Sequence, residues 1–125
     1  MVLESDFIKE FRPFIIKAID ERVKDNNFGE MNATEIFKEL LLVAKEELNR
    51  KVTHKYALNN DLYKSEDSRV DKNEVYDFID SVNIINKFII KAYRNHIENR
   101  YRLKTIESIR AYILDSFDNK SVPMI

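Results

Sequence analysis

Three groups of side chains have types and spacings that can do chemistry. The first is Arg50-Lys51-Val52-Thr53-His54-Lys55-Tyr56. Arg50 and His54 are four residues apart and share a face if the segment is helical. There a guanidinium can hold a phosphate while an imidazole moves a proton. The second is the stretch from Lys91 to Arg110, with six basic residues against two acidic ones and with Tyr93 and Tyr101 among them. Arg94, Arg100, Arg102 and Lys104 can neutralise phosphates, and Tyr101 can stack on an unpaired base. Residues 59–80 carry the opposite sign, with seven acidic side chains against three basic. The third group is Ile16, Leu42 and Ile84, apolar residues at the edge of, or away from, the main apolar faces of their helices. Clustered apolar exposure of that kind marks a protein contact.

The Arg50–Tyr56 segment is similar to the signature of HEPN-family ribonucleases. That signature has Arg, four to six residues, then His, often with Tyr two positions later. His54 and Tyr56 match it. Three residues separate Arg50 from His54, and Asn49 stands at the four-residue register. The resemblance implies a helical bundle that cleaves RNA through His54. A plainer reading, and the preferred one, is the polar last turn of a helix, where Lys, Arg and His complement the helix dipole. The basic stretch likewise reads first as a solvated face, because no helix-turn-helix or RNA-binding signature accompanies it. His96 reads as a half-buried packing residue at the end of an apolar stripe.

Several chemistries are excluded by composition. The chain has no cysteine, hence no disulfide or thiolate. Two histidines leave a zinc site to be completed by carboxylates, an uncommon set. The acidic pairs Glu46-Glu47 and Glu66-Asp67 are adjacent, so they form neither a calcium loop nor a helical Glu-x-x-His motif. With one glycine in 125 residues, there is no phosphate loop, nucleophile elbow or dinucleotide fingerprint. No cofactor or metal is expected. The near balance of 21 basic and 22 acidic residues names no partner.

The same scarcity of glycine, with only two prolines, predicts helix nearly throughout. The first helix is expected over about 5–25, capped by Ser5, with Phe7, Phe11, Phe14, Ile15, Ala18 and Ile19 on one face. Pro13 predicts a kink, or a break that makes five helices of four. Asn26 to Gly29 ends the helix, Gly29 or an Asn supplying a left-handed residue. Asn32 and Glu35 approximate a capping box for a second helix, which buries Ile36, Phe37, Leu40, Leu41, Ala44, Leu48 and Val52 and runs to about Tyr56. Residues 57–70 are expected to form a polar loop.

Asp71 and Glu74 resemble a capping pair for the third helix. Its core stripe is Val75, Phe78, Val82, Ile85, Ile89, Ala92 and His96, widened by Ile79, Ile90 and Tyr93 on one side and by Phe88 on the other. So apolar a helix is expected at the centre of the bundle. Thr105 caps a fourth helix bearing Ile106, Ile109, Ile113 and Phe117, and the tail 118–125 is expected to fray. The pentapeptide Phe14–Ala18 recurs as Phe88–Ala92, which reads as coincidence because similarity outside it is poor.

The expected architecture is a single all-α domain over 1–125, a roughly antiparallel bundle of four main helices. The longest unbroken apolar run is Leu40–Ala44, and the first residues lack a signal-peptide pattern, so the cytoplasm is the expected compartment. Two sequons, at Asn32 and Asn119, are read as coincidental on that basis. The expected function is non-enzymatic protein binding, of the regulator, inhibitor, antitoxin or immunity type, with phage or mobile-element origin and self-association as companion expectations. Nucleic-acid binding and a divergent ribonuclease are the alternatives.

Overall fold

Pro13 sits in the middle of an unbroken helix. The computed structural model describes residues 1–25, 27–56, 72–99 and 105–118, and within these the chain forms α1 (Glu4–Asp25), α2 (Ala33–Tyr56), α3 (Lys72–Asn99) and α4 (Ile106–Phe117). The break at Pro13 does not occur: four helices form, not five, and Pro13 is exposed on the outer side of α1. α1 also begins before Ser5, the Leu3 carbonyl accepting the Phe7 N–H at 3.0 Å. There are no strands among the described residues.

The helix ends are encoded locally. Gly29 adopts φ +53, a left-handed conformation in the turn between α1 and α2, where the Met31 N–H donates to the Phe28 carbonyl at 2.9 Å. Arg22 closes this turn, donating to the Asn27 carbonyl at 3.2 Å and lying 4.3 Å from the Phe28 ring centre. Asn32 caps α2: its Oδ1 accepts from the Glu35 N–H at 2.9 Å, and Glu35 Oε1 accepts from the Asn32 N–H at 3.4 Å. Thr105 caps α4 in the same reciprocal way with Ser108, at 3.0 and 3.1 Å. The expected Asp71–Glu74 pair and the loop at 57–70 lie outside the described residues. So does the tail beyond Asp118. Asp118 itself is fixed rather than frayed, its carboxylate receiving Arg12 Nε at 2.8 Å.

Side-chain pairs fix an up-down-up-down order. Arg22 meets Glu39 and Lys55 meets Glu10, so α1 and α2 run antiparallel. Phe37 meets His96 while Tyr56 meets Phe78, which makes α2 and α3 antiparallel. Arg110–Asp20 and Arg12–Asp118 set α4 antiparallel to α1. The core takes Phe7, Phe11, Ile15 and Ile19 from α1, and Phe37, Leu40, Leu41, Ala44, Leu48 and Val52 from α2. α4 adds Ile109, Ile113, Leu114 and Phe117.

α3 is not the central helix. α2 and α4 each pack along all three of the others, whereas α3 packs along α2 and α4 from one side. Its buried residues are Ser81, Ile85, Phe88, Ala92 and His96. Ser81 belongs to the core because its hydroxyl donates to the Asp77 carbonyl at 2.8 Å, which removes the penalty of burying it. Ile79, Ile90 and Tyr93 do not widen this stripe but face outward. The two copies of the pentapeptide also differ in what they bury. The first inserts Ile15, the second Phe88 and Ala92, so no internal twofold relates them.

Candidate docking face on α3

α3 carries a second apolar stripe, rotated by about one residue from the first. Tyr76, Ile79, Asn83, Asn86, Ile90, Tyr93 and Ile97 follow one another at alternating steps of three and four. That is the spacing of heptad positions a and d over three heptads. The five apolar members are exposed: Tyr76 at 62%, Ile79 at 46%, Ile90 at 59%, Tyr93 at 40% and Ile97 at 65%. From Tyr76 to Ile97 the stripe is about 32 Å long at 1.5 Å per residue. An open depression of about 600 Å³ lies over its central part, against Asn83, Asn86, Ile90 and Arg94.

The inner face of the same helix holds this stripe in place. His96 stacks on Phe37 with ring centres 4.0 Å apart and planes within 4°, and it is buried, not half-buried. Tyr93 meets the same Phe37 edge-on at 5.7 Å. On the flank away from the core, Asp80 accepts the Val2 N–H at 3.2 Å and Lys87 reaches Glu4 at 3.1 Å. The stripe therefore stands on a helix anchored to α2 and to the first residues of the chain.

The residues singled out by sequence fall in different places. Leu42 is exposed at 47%, while Ile16 and Ile84 are half-buried and pack against the core. They belong to three different helices. The second stripe of α3 was hidden in the sequence because Ile79, Ile90 and Tyr93 lie beside the inner stripe and read as its margin. The signal that finds it is a separate heptad count from Tyr76.

Arg50 and His54 are both exposed in the last two turns of α2, and Tyr56 is buried against Phe78. The Arg50 guanidinium donates to both oxygens of Glu47 at 2.6 and 2.7 Å, one turn back and away from His54. This hydrogen bond raises the Arg50 pKa above its ordinary value. In the basic stretch, Arg94 is exposed, whereas Arg110 donates to Asp20 at 2.6 Å, which also raises its pKa. Arg100, Tyr101, Arg102 and Lys104 lie outside the described residues. Among the described residues no three His, Asp or Glu side chains gather as a metal site, and no helix is long and apolar enough to cross a membrane. No known family model, no curated protein and no solved structure matches the chain.

Proposed function

We propose that the protein works by binding protein, with the outward stripe of α3 as its docking face. One observation carries the reading: five large apolar side chains at heptad spacing stand exposed on a helix whose other face is fully engaged. Water-exposed apolar surface of this regularity is costly to maintain and is relieved by a helical partner. Regulators, inhibitors, antitoxins and immunity proteins are the kinds of small protein in which such a surface acts. In the ribonuclease alternative Arg50 would have to leave Glu47 to serve beside His54, and in the nucleic-acid alternative Arg94 is the exposed candidate among the described residues.

The test is a photo-crosslinking residue in place of Ile90, with a second variant at the exposed Lys45 of α2 as control. Irradiation of cells expressing the first is expected to yield a covalent adduct to protein, and the control none. Absence of any protein adduct from position 90 would overturn the reading.

A further inference from the structure

From Tyr76 to Tyr93 the outward stripe of α3 reads the same from either end. Counting from Tyr76, positions a are Tyr76, Asn83, Ile90 and Ile97, and positions d are Ile79, Asn86 and Tyr93. In an antiparallel pair of helices each a residue lies beside a d residue of the other helix. Placing the twofold axis between Ile84 and Ile85 sets Tyr76 beside Tyr93 of the second helix, Ile79 beside Ile90, and Asn83 beside Asn86. The six layers between Tyr76 and Tyr93 then join like with like, and Ile97, one step beyond them, lies beside Lys72 of the second copy. We infer that the occupant of this face is a second copy of the chain, docked antiparallel in this register. The inference rests on the reading of the stripe as a docking face and names its partner.

Three features select this arrangement over its competitors. Sliding the pair by one heptad brings Asn83 beside Tyr93 or Asn86 beside Tyr76 of the second copy. Either shift buries primary amides against rings or aliphatic chains that cannot match their donors and acceptors. In the proposed register the two carboxamides of each layer hydrogen-bond one another, which is how buried Asn fixes register in paired helices. The flanking charges separate antiparallel from parallel. Positions e on this helix are Asp80, Lys87 and Arg94, and antiparallel pairing places Asp80 beside Lys87 of the second copy, twice about the axis. Parallel pairing would instead set these charges against Val75, Val82 and Ile89, which are half-buried and apolar. Asp80 and Lys87 keep their bonds to Val2 and Glu4, so each carboxylate or ammonium shares a further partner rather than changing one.

The area is sufficient. The five exposed apolar side chains offer on the order of 500 Å² per copy, so a symmetric pair buries about 1,000 Å² before asparagines and flanks are added, where specific interfaces begin. A twofold axis also closes the assembly at two, because the stripe is consumed by its own copy.

Light scattering on the purified protein gives the mass, and the absence of cysteine allows single thiols to report geometry. The expected mass is about twice the 14.9 kDa of one chain. Ile90→Glu, at an exposed site, is expected to keep the helical circular dichroism and to weaken dimerisation at least 100-fold. Under mild oxidation, Ile79→Cys mixed with Ile90→Cys is expected to give a disulfide heterodimer, while Ile79→Cys alone gives none. A disulfide dimer from Ile79→Cys alone would mean a parallel pair and overturn the register. A monomer at all concentrations would overturn the second copy as occupant, and position 90 crosslinking to a protein of another mass would then leave the docking face standing. A monomer with no adduct from position 90 would remove both.

Discussion

Tyr93 sets its ring edge-on to the buried ring of Phe37, centres 5.7 Å apart and planes at 85°, while 40% of its surface stays exposed. One side chain thus joins the inner face of α3, which holds the fold, to the outer face, which the described residues leave exposed. Inner and outer residues of the same helix should respond differently to the same change.

Ile85 and Ile90 give the cleanest contrast. Ile85 is 1% exposed, and Ile85→Ala is expected to lower stability by about 2–5 kcal/mol through lost burial and a residual cavity. Ile90→Ala is expected to change monomer stability by less than about 0.5 kcal/mol. Urea denaturation of the two variants, at concentrations low enough for monomer, measures both.

Gly29 is conformational rather than steric. A Cβ built there meets nothing within 4 Å, so Gly29→Ala pays only for the positive φ, about 1–2 kcal/mol. Gly29→Asn, which tolerates that conformation better, is expected to lose less. Equal losses for both, read from chemical denaturation, would mean that the side chain has a contact to displace.

The caps of α2 and α4 were plain in the sequence, and each rests on a measurable bond. Asn32→Ala and Thr105→Ala are each expected to destabilise by about 1 kcal/mol. Differential scanning calorimetry should record a lower Tm for either variant, with their effects adding in the double variant because the sites are on separate helices.

What was legible in the sequence followed from local rules. Gly29, Asn32 with Glu35, and Thr105 state their roles through backbone chemistry that needs no partner. The inner stripe was legible for Ile85 and Ala92. It was not legible for Ser81, whose burial depends on a backbone acceptor one turn away. Pro13 misled because its exposed position in α1 accommodates the ring without ending the helix. The outer stripe was not legible either. Ile79, Ile90 and Tyr93 are apolar at helical spacing, and periodicity alone cannot say whether a second apolar face is covered by the chain itself. That depends on α3 lying at one side of the bundle, a property of tertiary packing.

The Lys55–Glu10 pair predicts a small alkaline dependence. Burial lowers the Lys55 pKa, but the Glu10 hydrogen bond and the charges of Tyr56, Glu10 and Asp77 outweigh it and raise the value above 10.5. A raised folded-state pKa means that the stabilisation is complete below the unfolded value and is lost as pH rises through the folded one. Both side chains are more than a third exposed, so screening limits the contribution to less than about 1 kcal/mol. Glu10→Gln should flatten that part of the stability profile above about pH 10 and leave the acid side governed by other groups.

The central claim is that the outward stripe of α3 is covered by a second copy of the chain. Hydroxyl-radical footprinting read by mass spectrometry measures this directly, with the protein labelled concentrated and then diluted. The account predicts that Tyr76, Ile90 and Ile97 are protected when concentrated and become reactive on dilution, while Leu42 on α2 stays reactive throughout. Equal reactivity of the three α3 residues at both concentrations would contradict it.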